Sequence, residues 1–485
     1  MSLANRVALN SSVQTVAQVG VAVLSLFSVA ITARYLSPED YGGLLAAVAL
    51  VSIFSTLTEF GLPTTAARWM ANRPQDAPQT SASILLVGGV MATVGLLAIL
   101  AFSQLVYSGG DDDVTRTAVA VLAVPFLLDP LRCVAQARYI VEQRIWMVAV
   151  AVLAGRATSL GLVVLAAGLD LGPTAVAAAF AASSIVQCLI MIVGQHSALR
   201  CLERTTTRRS RALLGEASSL GGILIMNFVY LRVGIFTVSI LGSKVEVAEY
   251  GVSARVFEML IVVPSFVMIT LIPELARQEE HGERLRLIVG KALNAMQVLS
   301  LGVVAASVLS PDILRAIAGP AYGDAGGTLT ILLVALALTF ATNVFATTLV
   351  ALGRQGRVWP VSAIVLATNI ALNLALFPLL GIRGSALALL ISEALSLVLM
   401  ARLFREVSEI PRPFAPARAL LAAGCAGLAA SIPSLVALTD QAGARLVLGG
   451  ALGGLAYVAA LVGLRALPPA LAQILGPPLR RLRRA

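Results

Sequence analysis

The sequence predicts an all-α polytopic membrane protein with about 14 transmembrane helices, and three observations carry that expectation. Of the 485 residues, 58% are hydrophobic and only 12% charged, whereas soluble domains are about a quarter charged. The mean hydropathy is +0.90. The apolar residues fall in continuous runs of about 20, the length an α-helix needs to cross a hydrocarbon core, and not in the alternating strands of about ten that build a membrane barrel.

Taken in order, the runs are 12–33, 43–63, 83–106, 117–137, 147–168, 174–196, 219–241, 251–273, 288–309, 328–351, 358–379, 384–404, 418–437 and 446–465. The first is longer than the apolar region of a cleavable signal peptide and lacks a small-residue cleavage site, so it reads as the first span. Lys and Arg are retained on the cytoplasmic side. With the N-terminus inside, 26 basic residues fall on inside segments and 7 on outside segments. Both termini are therefore expected in the cytoplasm, and the basic tail "LGPPLRRLRRA" reads as a topology anchor.

The same count limits the chemistry. The outside loops are short, the longest running from 310 to 327, which leaves no room for an extracellular catalytic domain, so no enzyme is expected. Cys133, Cys188, Cys201 and Cys425 show no CxxC spacing, and His196 and His281 lie far apart. Neither a metal centre nor a cofactor is expected, and no nucleic-acid partner. The run Asp111, Asp112, Asp113 reads as a wet outside loop.

An internal repeat is the next signal. "SPEDYGGLLAAV" at 37–48 matches "EVAEYGVSARVF" at 246–257 around Tyr-Gly at an offset of 209, and 171–192 echoes 381–402 at an offset near 210. A unit of six helices, being even, enters the membrane twice from the same side. The expectation is two parallel six-helix bundles related by a pseudo-two-fold axis along the membrane normal, with two helices appended. The boundaries are 1–217 for spans 1–6, 218–405 for spans 7–12, and 406–485 for spans 13–14 with the tail. The glycines after each tyrosine are expected to let the backbone turn tightly into the next helix.

Several stretches, in this order, resemble a known family: "ARYLSPEDYG", "EFGLPTTAARW", "LIPELAR", "AGPAYGDAGGTLTILLVALAL", "TTLVALGRQGRVW" and "GIRGSALALLISEALSLVLMARLFR". They are similar to the Wzx-type oligosaccharide flippases, also called polysaccharide biosynthesis export proteins, of the multidrug/oligosaccharidyl-lipid/polysaccharide (MOP) exporter superfamily. The resemblance spans roughly residues 5–405. It implies a two-lobed fold like that of MATE exporters and the movement of polyprenyl-pyrophosphate-linked oligosaccharides from the inner to the outer leaflet of the bacterial cytoplasmic membrane. Membrane lipids, and the polymerase and glycosyltransferases of the same pathway, would be its partners. One departure stands in span 7, where such proteins often carry Arg-x-Asp and this chain has Arg232 followed by Gly234.

Charge inside a span costs at least about 2.5–3.5 kcal/mol on insertion scales, so such residues should face protein or a water-filled cavity. Arg156 and Arg232 lie near the middle of their spans. Arginine's planar fork suits bidentate contact with phosphate oxygens, so both are expected to hold a pyrophosphate in a cleft between the bundles. Arg68 would assist at the cytoplasmic mouth, and Arg34 would meet the emerging headgroup. In the alternative, each arginine pairs with Glu59, Glu258 or Glu393 and fixes packing. Asn10, Gln14 and Gln18 share one helical face by their i, i+4, i+8 spacing and, with Asn227, are candidates to line a cavity and bind sugars. Interhelical hydrogen bonding is the alternative. Glu59 and Glu393 are candidates for ion coupling, and Glu258 and Glu274 read as solvated residues near span ends. A peptidoglycan lipid-precursor flippase and a MATE-type cation-coupled small-molecule exporter are the competing transporters. A polymerase or ligase is disfavoured by the short outside loops.

Overall fold

The computed structural model describes residues 3–59, 61–107, 109, 112–195, 205–278, 282–436 and 441–468. Every regular element among them is helical. The first nine helices are α1 (Leu3–Tyr35), α2 (Pro38–Glu59), α3 (Leu62–Asn72), α4 (Ala77–Val106), α5 (Asp113–Ala123), α6 (Asp129–Val141), α7 (Ile145–Gly168), α8 (Gly172–Gly194) and α9 (Thr207–Leu241). Then come α10 (Lys244–Leu260), α11 (Val262–Leu275), α12 (Glu283–Ala306), α13 (Ser310–Ala318), α14 (Gly326–Ala351), α15 (Gln355–Leu380), α16 (Ile382–Arg405), α17 (Pro416–Leu435) and α18 (Ala442–Gly463).

Among the described residues, 13 helical stretches are long and apolar enough to cross a membrane, and Ile225–Leu241 within α9 is a shorter apolar one. Each coincides with one run expected from the sequence. Large apolar side chains stand bare on their outer faces, Leu97 at 64%, Leu379 at 76% and Leu428 at 72% exposure. In water such a surface would drive association, and in lipid it is the ordinary solvent-facing side.

Several spans are not single helices. Span 2 breaks at Gly61, where φ is +71° and the chain turns into amphipathic α3. A Cβ at Gly61 would stand 3.0 Å from the backbone nitrogen of Gly221 on α9, so both the conformation and the close approach call for glycine. Span 4 is interrupted by a 3₁₀ turn over Val124–Leu128, with Pro125 inside it and Pro130 just after it, and their rings cannot continue an α-helical hydrogen-bond ladder. Span 8 breaks between α10 and α11, with Pro264 in the first turn of the second piece.

By contact the chain groups into two compact units, 1–248 and 249–485, and the boundary falls inside α10. In the first unit α7 packs on α1 and α8, and α3, α4, α6 and α9 share a core that includes Leu62, Met70, Ile84, Val134 and Leu213. Gly155 on α7 is buried where its Cβ would lie 2.6 Å from the Ser183 carbonyl oxygen on α8. In the second unit α14 packs on α12 and α16, and α15 on α16. The appended pair α17 and α18 meets through small residues, since a Cβ at Gly449 would lie 2.7 Å from the Ala430 carbonyl oxygen. In lipid, such stripes let helix backbones approach closely enough for dispersion to hold them. Both helices dock on α12, where Tyr457 donates to the Val298 carbonyl at 2.6 Å.

The repeated Tyr-Gly stretches open α2 and α10, and each helix begins with a serine cap, which at α10 is a reciprocal capping box. Ser37 accepts from the Asp40 amide at 3.1 Å and donates to its carboxylate at 3.0 Å. Ser243 accepts from the Glu246 amide at 3.2 Å, while Glu246 accepts from the Ser243 amide at 2.8 Å. Tyr41 and Tyr250 are both buried. The expectation for the glycines requires correction, because Gly42 lies within α2 and is absent from the positive-φ glycines. Its missing side chain instead admits the backbone carbonyl of Lys244, which a Cβ would overlap. The first copy of the motif thus needs its glycine to accommodate the first residue of α10.

Candidate functional site

Arg156 stands on α7, one residue after the tightly packed Gly155, and its side chain is exposed. The apolar helix around it offers no aqueous surface of its own. Charge placed midway along such a span faces protein or a water-filled cavity, because lipid does not solvate it. Arg232 is half-buried on α9, with its guanidinium carbon 5.5 Å from the centroid of the Phe228 ring. That separation is within cation–π range. Both arginines belong to the first contact unit.

The other expected phosphate ligands are placed differently. Arg34 is exposed at the end of α1. Arg68 on α3 is exposed but ion-paired with Glu216 of α9, and the Trp69 indole donates to the same carboxylate at 2.6 Å. Of the expected sugar ligands, Gln18 and Asn227 are exposed. Asn10 and Gln14 lie on α1 where side chains fall outside the described residues.

Glu59 pairs with Arg132, which also holds Asp129 at 3.0 Å. Arg132 is only 15% exposed and Asp129 14%. Arg132 belongs to α6, inside the span that covers Asp113–Val141. The i, i+3 pair Asp129 and Arg132 in "DPLR" was the available signal. Glu258 is also not a solvated span-end residue. Its carboxylate is 19% exposed and accepts from Arg255 at 3.0 Å, because the span runs on from α10 into α11 and leaves Glu258 well inside it. Glu274 pairs with Arg284 at 2.7 Å.

In the second unit Glu393 is buried at 3% exposure on α16, beside Ser392. Asn369 on α15 donates to Ser392 at 3.2 Å, and Asn373 donates to the Asn369 carbonyl at 2.9 Å. Asn369 thus ties α15 to α16, the interhelical role for which buried polar groups in membranes are suited, and Asn373 bonds to Asn369 along α15. No group of three or more metal-ligating side chains occurs among the described residues. Cys133 and Cys188 are buried thiols.

The fold has solved counterparts. A lipid II flippase MurJ in an inward closed conformation aligns with a TM-score of 0.71 at 13% identity, covering 94% of this chain and 99% of that one. An inward-facing MATE-family multidrug resistance transporter of the MOP superfamily aligns with a TM-score of 0.62 at 17% identity, covering 81% and 97%. The architecture is that of MOP-superfamily proteins. The chain itself belongs to the polysaccharide biosynthesis protein family, whose model matches residues 7–279. The probable flippase AglR of Haloferax volcanii is 27% identical over 172 residues, which make up 34% of this chain and 36% of AglR. The match thus spans about a third of that relative's length.

Proposed function

We propose that this protein is a flippase that carries a polyprenyl-pyrophosphate-linked oligosaccharide from the inner to the outer leaflet of a cytoplasmic membrane. Its termini lie on the cytoplasmic side and it works by alternating access. Membership of the polysaccharide biosynthesis protein family supports this reading, as does the similarity to a relative named a probable flippase. The observation that carries it is Arg156, an exposed guanidinium midway along the 24-residue apolar helix α7. A cation so placed suits an anionic substrate. It would repel the organic cations that a MATE-type exporter handles, and Arg232 adds a second positive charge in the same unit. The pathway's polymerase and glycosyltransferases would be its partners, with Glu59 and Glu393 the acids available for ion coupling.

A peptidoglycan lipid-precursor flippase is the second reading, favoured by the 94% coverage by the lipid II flippase fold. Deletion separates the two. Accumulation of a lipid-linked surface oligosaccharide on the inner leaflet, with peptidoglycan synthesis intact, supports the first reading. Arrest of peptidoglycan synthesis overturns it in favour of the second.

A further inference from the structure

The ends of α3, α4 and α9 line a half-open cavity of about 660 Å³ that the proposed transport does not use. Its size falls in the range of about 300–1,000 Å³ typical of small-ligand sites. We propose that this cavity is a binding site for a phosphate-bearing headgroup.

The charge of its lining points to an anion. Arg73, Arg208 and Arg209 face the cavity against a single carboxylate, Glu216, and that carboxylate is already engaged by Arg68 and by the Trp69 indole. Arg209 is held rigidly. It donates to Gln79 at 2.9 Å and Thr80 at 3.1 Å, pairs with Asp76 at 3.2 Å, and lies 5.9 Å from the Trp69 ring centroid. Arg73 and Arg208 are exposed, and among the described residues neither has an ion-pair partner. One preorganised guanidinium beside two adjustable ones is the arrangement that phosphate oxygens reward, since arginine offers planar, paired donors. Arginines serving only as topology anchors would be solvated on separate faces, whereas these three converge on one concavity.

Position narrows the ligand further. The cavity lies where apolar α4 begins and where α9 starts at its Thr206 cap, which places it at a membrane–water boundary. Trp69 occupies the amphipathic environment that tryptophan favours at that depth. Two sources can present phosphate there, an anionic phospholipid of the surrounding leaflet or a soluble diphosphate compound. The site does not depend on what the protein transports.

Trp69 reports on it directly. The chain has three tryptophans, so Trp146→Phe with Trp359→Phe leaves Trp69 as the only tryptophan, excited selectively at wavelengths where the tyrosines do not absorb. In nanodiscs of phosphatidylcholine, sodium pyrophosphate is titrated. In parallel, nanodiscs with increasing phosphatidylglycerol are compared. A saturable change in Trp69 emission is expected in at least one series. Arg73→Ala with Arg208→Ala should weaken it about tenfold or more, the factor that each ~1.4 kcal/mol of lost contact represents. Arg73→Lys with Arg208→Lys should retain a larger part. A response to phosphatidylglycerol assigns the lipid headgroup, and a response to pyrophosphate alone assigns a soluble diphosphate. No saturable change in either series, or one unaltered by the alanine pair, overturns the proposal.

Discussion

Gly42 and Arg132 show how single residues carry this fold. A Cβ at Gly42 would overlap the Lys244 carbonyl, so Gly42→Ala must push two backbones apart. Overpacking of this kind typically costs about 1–3 kcal/mol, and a lower melting temperature in detergent is the expected outcome. The glycine could be found in the sequence as part of a repeated motif, but its reason could not, because the contact joins residues about 200 apart. Arg132 is similar. Removing it leaves Glu59 and Asp129 facing each other without a cation. Breaking a fully buried pair from one side costs about 3–5 kcal/mol, and the cost here is smaller because Glu59 is 35% exposed and solvent screens it. Arg132→Ala should therefore destabilise the protein. Replacing all three together, by Glu59→Gln, Asp129→Asn and Arg132→Met, should recover most of the loss in the same melting experiment, because no uncompensated charge remains.

The spans were legible because a bilayer demands long apolar helices and the chain supplies them without ambiguity. The breaks within them were less so. Pro125 and Pro130 announce the interruption of span 4, yet the sequence does not say that the chain resumes as helix in the same span, which depends on tertiary packing. The caps of α2 and α10 are readable after the fact as Ser-x-x-Asp and Ser-x-x-Glu. Ser37→Ala and Ser243→Ala should each cost about 1 kcal/mol, seen as faster amide hydrogen exchange in the first turns of those helices. Slowed or unchanged exchange in both would contradict the caps' role. Asn369 shows the opposite limit. Its residue type allows a cavity or a helix contact, and only the packing of α15 on α16 decides for the contact.

At the scale of the whole molecule, family and fold were both legible, the first from ordered short stretches and the second from span count and composition. The substrate site was legible only in part. Arg156 and Arg232 stood out as charges within apolar runs. Arg68 joined the list on position alone, and its carboxylate partner Glu216 lies 148 residues away. The central claim is that the protein moves an anionic lipid-linked sugar and that Arg156 helps to hold it. The most direct measurement uses purified protein in vesicles loaded with a fluorescent polyprenyl-pyrophosphate oligosaccharide, with membrane-impermeant quenching read over time. The account predicts that the wild-type protein makes the inner-leaflet pool accessible, that Arg156→Ala slows this about tenfold or more, and that Arg156→Lys retains intermediate activity. Translocation by the alanine variant at the wild-type rate, or none by the wild type above protein-free vesicles, would contradict it.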